Sequence, residues 1–183
     1  MAAPSVVKQE WKDELEAIST SRGWILNSYA QVEFLLGHLM VASQRLPEYR
    51  RAGWSLPRNL ELRAGGVREL LKSGPFSTYE SSIAPLLDEI CSDDLAATRH
   101  LLVHGFCTFH ATPAGEMAVQ FRRFVPGAKK MPATLEQRFY RRADLEAERS
   151  RLTALTNRIL QAIGGLCIDL GFGDSIDPSD LMP

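Results

Sequence analysis

Arg99 and His104 are the two residues whose types and spacing most favour chemistry on a phosphate. An arginine presents a planar fork of N–H donors and stays charged, which suits bidentate recognition of a phosphate group. A histidine titrates near neutral pH and can therefore accept or donate a proton. Together they supply a phosphate clamp and a proton-transfer group, which is part of the set that metal-free RNA cleavage requires.

The same residues also have a structural interpretation. A basic residue and a histidine in the last turns of a helix stabilise its C-terminal dipole without any further function. His104 also falls close to an apolar stripe that contains Ala97 and Leu101, so it fits a core or interface position. Positions 99 and 104 do not share a helical face, whereas His100 and His104 do. At the level of sequence both interpretations stay open.

A metal site is a weaker alternative. His100 and His104 lie four residues apart, and His110 follows on a predicted strand. The pattern lacks the glutamate of an H-E-x-x-H motif, and no cysteine or acidic residue stands at a convincing spacing for a further ligand. Phosphate loops, nucleophile elbows and dinucleotide fingerprints are missing from the sequence. We therefore predict neither a metal nor a cofactor.

The bulk properties indicate one globular domain of 183 residues with a hydrophobic content of 45%. The formal net charge is −1, so any affinity for a polyanion must come from a local cluster of charge. Three widely spaced cysteines suggest buried thiols in a reducing compartment. No secretory leader or apolar run of spanning length is evident. We predict a cytoplasmic protein that does not bind a membrane.

Apolar residues at helical spacing predict a short first helix and four longer ones. Thr20 and Ser21 are interpreted as N-cap residues that separate the first two helices. Gly105 and Gly171 are expected to end the last two. The predicted helices are Val6–Ile18, Arg22–Gln44, Arg58–Lys72, Thr78–His104 and Asp144–Leu170.

The hydrophobic period changes from helical to alternating after Gly105. It predicts strands over Phe106–Thr112 and Met117–Val125, and a short third strand over Leu135–Tyr140. The surrounding stretch is rich in arginine and lysine, and its aromatic residues alternate as strand-core residues do. We interpret the basic residues as a solvated hairpin face, with an approach surface for RNA as the alternative.

The predicted fold is mainly α: a bundle of four to five helices with a β-hairpin inserted before the last long helix. One domain covers residues 1–183. It has a short N-terminal segment over residues 1–20, the hairpin insert over residues 106–125 and an acidic C-terminal tail over residues 172–183.

The segment from Asp93 to Gly105 resembles the HEPN (higher eukaryote and prokaryote nucleotide-binding) family. In that family's motif an arginine is followed by a polar residue, three further residues and a histidine. Here the polar residue is His100, where asparagine is commoner. The predicted helix that contains Trp24 to Gly37 is also similar to the opening helix of bacterial HEPN-like proteins.

The resemblance implies a homodimeric, metal-independent endoribonuclease of a toxin or defence system. Arg99 and His104 would be catalytic, and His100 and Glu33 would support the site. Glu33 would orient Arg99 by pairing with it, although we slightly favour a solvated edge of the helix as the explanation of Glu33. The alternative is a non-catalytic dimeric interaction or nucleotide-binding module. The implied partners are a second copy of the chain, RNA or a nucleotide, and a cognate nucleotidyltransferase or antitoxin.

Overall fold

The computed structural model describes residues 9–111, 117–127 and 132–172, and it is mainly helical. No helix within these ranges is both long and apolar enough to cross a membrane. The predicted segment 1–20 falls partly outside the described residues, and the acidic tail almost wholly. In chain order the elements are α1 (Gln9–Ser43), α2 (Leu60–Leu71), a 3-10 helix (Gly74–Tyr79), α3 (Glu80–Ile90), α4 (Asp93–His104), β1 (Phe106–Ala111), β2 (Met117–Val125), β3 (Thr134–Arg141) and α5 (Arg142–Asp169).

Helix α1 is continuous through Thr20 and Ser21, so the predicted break between two helices is wrong. The physical reason is that the buried stripe of the helix does not stop there. Ser21 is buried, and it lies at helical spacing between Ile18 and Ile25, which are buried as well. A serine or threonine is a good N-cap only where the chain must start a helix, and here the apolar period continues on both sides.

The predicted helix Thr78–His104 is also divided, because the chain leaves the helical hydrogen-bond pattern at Cys91 and Ser92. The amide of Ala96 donates to the Ser92 carbonyl at 2.9 Å, which marks the start of α4. Asp93 and Asp94 then occupy the first turn of α4, where negative charge is favourable. A serine followed by two acidic residues is a helix-start signal that the sequence interpretation missed.

The last helix ends at Asp169 in a Schellman motif, close to the predicted stop. Gly171 has a φ of +70°, a conformation that favours glycine. Its amide donates to the Ile168 carbonyl at 3.1 Å, and the amide of Phe172 donates to the Cys167 carbonyl at 2.7 Å. Phe172 is buried, with its ring centroid 6.2 Å from that of Phe76.

The three predicted strands form one antiparallel sheet in the order β1-β2-β3. Phe106 pairs with Arg122 between β1 and β2, and Arg122 pairs with Gln137 between β2 and β3. The sheet therefore has three strands, one more than the hairpin of the predicted fold class, and it lies before the last helix as predicted. The residues that join β1 to β2 lie outside the described ranges.

The chain divides into two compact units. The first contains the chain up to Asn27 together with Ala97–Leu152, and thus the sheet and most of α4. The second contains Ser28–Ala96 and the chain from Thr153 onwards. The first unit buries apolar side chains that include Ile18, Ile25, Leu101, Leu102, Val119, Phe121 and Leu145. The second buries residues of α1, α2, α3 and α5, among them Val32, Leu36, Val67, Leu87 and Ile159.

Gly105 joins α4 directly to β1. Its amide donates to the Leu101 carbonyl at 2.8 Å, and a Cβ added at Gly105 would lie 2.2 Å from that same oxygen. The glycine is therefore required by the close approach of backbone to backbone. It ends α4 as predicted, but the described positive-φ glycines are Gly53, Gly74 and Gly171, so it does not use the left-handed conformation expected of a C-cap.

We predict that Gly105→Ala destabilises the protein by about 1–3 kcal/mol, because the methyl group meets a backbone oxygen that cannot move without distorting the junction. Gly23→Ala is the matched control, since Gly23 lies within α1 with open space around its Cβ position. It should raise stability by about 0.5–1 kcal/mol through its better helix propensity. Urea unfolding of both variants measures the difference, and equal stability of the two contradicts the packing argument.

His38 gives the second unit a dependence on pH. Its pKa is lowered by burial, and then by the positive charge of Arg45. A histidine whose folded pKa lies below its unfolded pKa stabilises the protein fully above the unfolded value. That contribution is lost as the pH falls through about 6.5 toward the folded pKa.

We therefore expect thermal stability to fall between about pH 7.5 and 5, and to fall less in His38→Gln. Melting temperatures measured at half-unit pH steps give the two slopes. Parallel slopes for parent and variant would show that other groups cause the decline.

Candidate functional site

Three of the four predicted site residues, Arg99, His100 and His104, occupy the last two turns of α4, in the first unit. Arg99 and His100 are half-buried, whereas His104 is exposed at the last position of the helix. Between them Leu101 and Leu102 are fully buried. The two leucines anchor the helix in the core of its unit, and the side of the last turn that carries His104 is left open to solvent.

The two histidines of the motif lie side by side. The ring centroids of His100 and His104 are 6.1 Å apart, and the ring planes are inclined by 23°. Arg99 and His104 are separated by about 140° around the helix axis, as five residues dictate. Within one chain the geometry therefore pairs the histidines with each other, as helical spacing predicted.

Arg22 holds the C-terminal end of α4. Its Nε and Nη2 atoms donate to the Leu102 carbonyl at 2.9 and 2.5 Å, and its guanidinium carbon lies 5.2 Å from the centroid of the Phe121 ring. The last carbonyls of a helix have no partner within the helix, and a cation there also complements the helix dipole. One side chain of α1 thus joins α4 to β2. Sequence interpretation missed it, because the partners of Arg22 are 80 and about 100 residues away.

Arg138 of β3 brings a second guanidinium next to the motif. Its Nη1 atom lies 3.3 Å from the Thr98 hydroxyl, directly before Arg99, and its Nη2 atom lies 3.9 Å from a carboxylate oxygen of Glu136. Arg138 belongs to the basic stretch noticed in the sequence, but nothing in the local pattern indicates that it contacts α4. Positive charge near Arg99 favours the binding of an anion at this place.

Glu33 belongs to the second unit, where its partner is Arg63. A carboxylate oxygen of Glu33 lies 3.8 Å from Arg63 Nη2, while Arg63 Nη1 donates to the Glu33 backbone carbonyl at 2.7 Å. The side chain is neither fully solvated nor isolated. The pair between Glu33 and Arg99 stays a prediction, because the two residues belong to different units.

A metal site finds no support from side-chain clustering. In the part of the chain that the structure describes, no three histidine, cysteine or acidic side chains lie close enough together to hold an ion. His110 instead contacts its sheet neighbours: its Nε2 lies 3.1 Å from the Thr108 hydroxyl, and its ring packs against Phe139 with centroids 5.7 Å apart.

The second unit has a cleft of about 420 Å³ between α1, α2 and the chain that joins them. The residues that line this cleft include the acidic Glu48 and Glu69 and the basic Arg51. None of the predicted site residues contributes to this cleft. The mixed charge makes it a poorer match for a phosphate than the end of α4 with its arginines.

Searches of protein families, curated proteins and solved structures found no match to this chain. The HEPN resemblance therefore depends on the motif residues and their helical setting.

We predict that Arg22→Met lowers stability by about 2 kcal/mol, because the Leu102 carbonyl loses two charge-assisted hydrogen bonds. The melting temperature should fall by about 5 °C. Arg158→Met is the control, since Arg158 forms an exposed ion pair with Glu89 at 3.1 Å, and such pairs contribute little. If both variants melt together with the parent, Arg22 does not anchor α4.

Proposed function

We propose that this chain is a HEPN-like, metal-independent endoribonuclease that acts as a homodimer, with Arg99 and His104 of each subunit in a shared site. The proposal extends, on the family resemblance, to a cytoplasmic toxin or defence protein. The observation that carries it is the exposed imidazole of His104 at the end of α4, with the half-buried guanidinium of Arg99 little more than one turn earlier. An exposed imidazole is available to a substrate, whereas a core histidine is not.

The chemistry needs no metal. The 2′-oxygen of a ribose attacks the adjacent phosphorus while its proton passes to a base, and the 5′-oxygen of the next nucleotide leaves and takes up a proton. A histidine from each of two subunits supplies the base and the acid. The arginines neutralise the charge that develops on the phosphoryl oxygens. The products are a 2′,3′-cyclic phosphate and a 5′-hydroxyl.

One chain is insufficient for this reaction, which is why dimerisation is part of the proposal. A single Arg99 and His104 lie about 140° apart around α4 and cannot both face one phosphate without bending. A two-fold axis brings a second copy of each group to the same place. Sedimentation at micromolar concentration should therefore give the mass of a dimer.

The test is incubation of the purified protein with mixed RNA in excess chelator. We expect cleavage by the parent, and a loss of about 100-fold or more in Arg99→Ala and in His104→Ala. Arg158→Ala is the control, because it removes an exposed arginine of α5 whose partner is Glu89 and which belongs to neither the proposed site nor the sheet. It should cleave like the parent and leave cyclic phosphate ends. Equal cleavage by all four proteins means a contaminating nuclease, and no cleavage by a folded dimer favours the non-catalytic module.

A further inference from the structure

One face of the sheet carries several exposed side chains around two buried residues of the central strand, Ala118 and Gln120. Cross-strand partners in an antiparallel sheet point to the same side, and successive residues alternate, so the register assigns every side chain to a face. We name the outer sheet face by its eleven members, which are Phe106, Thr108, His110, Ala118, Gln120, Arg122, Phe124, Leu135, Gln137, Phe139 and Arg141.

Three phenylalanines of the outer sheet face are unusually exposed. Phe106 is 66% exposed, Phe124 76% and Phe139 59%, whereas Phe121 on the opposite face is 1% exposed. The sequence-based interpretation of these aromatics as strand-core residues is therefore wrong for Phe124 and Phe139. Several exposed rings on one face mark an interaction site more often than isolated exposed residues do.

The charges of the two faces differ. On the inner face Glu136 neutralises arginines, at 2.7 Å from Arg123 and 3.9 Å from Arg138. None of the eleven side chains of the outer sheet face is acidic, and its positive charge is carried by Arg122. Arg141 lies at the edge of this face, next to the Asp144 carboxylate, which accepts from its backbone amide at 2.7 Å. This face is therefore positively charged, whereas the chain as a whole has a formal net charge of −1. Its ligand should be an anion.

Contacts between neighbours position the rings and polar groups of this face. The Arg122 guanidinium carbon lies 5.7 Å from the centroid of the Phe106 ring, and His110 packs edge-on against Phe139 at 5.7 Å. Between them the Gln120 amide donates to Gln137 Oε1 at 3.2 Å. Rings, guanidinium and amides are thus arranged before a ligand arrives, which lowers the entropy cost of binding.

A second copy of the chain fits this face poorly. In a two-fold interface the same surface meets itself, so Arg122 would be buried against a face whose own side chains include no carboxylate. A single-stranded nucleic acid fits better, because its bases stack on aromatic rings and its phosphates pair with arginine. Paired bases are stacked within a duplex and cannot lie flat on the rings.

We propose that the outer sheet face binds single-stranded nucleic acid, with bases stacked on Phe106, Phe124 and Phe139 and a phosphate beside Arg122. This surface lies outside the Arg99 and His104 motif, and only the choice of RNA over DNA rests on the proposed function. Phe106 follows His104 by two residues, a distance of at most about 7 Å along the backbone. A strand bound at Phe106 therefore lies beside the last turn of α4, and we expect the substrate of the proposed site to be unpaired RNA.

The test measures binding of a fluorescein-labelled 12-nucleotide uridine RNA by anisotropy in chelator. His104→Ala serves as the background, so that cleavage does not interfere. Into this background Phe106→Ala and Phe139→Ala are introduced together. We expect the affinity for the RNA to fall by about 30-fold or more, because each substitution removes the stacking of one base on a ring. Phe34→Ala is the matched control, since Phe34 is an equally exposed phenylalanine on α1. It should bind like the background.

Charge and strandedness provide two further measurements. Arg122→Gln should reduce the slope of log affinity against log salt by about 1, and Arg158→Gln on α5 should not. A duplex of the same RNA should bind at least about tenfold more weakly than the single strand. Phe106→Trp should keep the affinity of the phenylalanine, since tryptophan also stacks, and melting temperatures of all variants confirm that they are folded.

The proposal is overturned if no single strand binds, if the duplex binds equally well, or if Phe34→Ala weakens binding as much as the sheet variants do. It is also overturned if the sheet variants only convert a dimer into a monomer, or if phosphatidylserine vesicles bind and RNA does not. Failure of the proposed function is a separate result. In that case neither the parent nor any variant cleaves RNA. The parent still binds single-stranded RNA, and the sheet variants still bind it more weakly.

Discussion

The end of helix α4 depends on the guanidinium of Arg22. That group satisfies the Leu102 carbonyl with two hydrogen bonds and lies over the ring of Phe121. The last carbonyls of a helix have no partner within the helix, and the Leu102 carbonyl takes its partner from α1. Because Arg22 provides it, α4 can stop at His104 with its last imidazole in solvent while Leu101 and Leu102 stay buried.

Gly105 has the complementary role at the same junction. It lets the backbone approach the Leu101 carbonyl closely enough for β1 to begin at Phe106. The consequence is functional as well as structural. His104, the proposed proton-transfer group, and Phe106, the first ring of the outer sheet face, lie two residues apart. The proposed reaction and the proposed binding of single-stranded RNA therefore use the same segment of chain.

Local sequence signals were sufficient for much of the fold. The strands were predicted almost to the residue, because alternation has a period of two and turn residues flank it. The predictions failed where two local signals competed. Thr20 and Ser21 are typical cap residues, yet the buried stripe passes straight through them in α1. At Ser92 the chain does break, and there two acidic residues, Asp93 and Asp94, begin α4 where negative charge favours a helix N-terminus.

By itself, the sequence determined the element types, the place of the sheet before the last helix, and the helical proximity of His100 and His104. Each depends on residues close together in the chain. Only the tertiary structure decided that Arg22 closes α4, that Arg138 reaches Thr98, and that Glu33 pairs with Arg63. It also decided which strand aromatics are buried, since alternation separates two faces without saying which one meets the core. That choice depends on packing between segments far apart in sequence, and no local period records it.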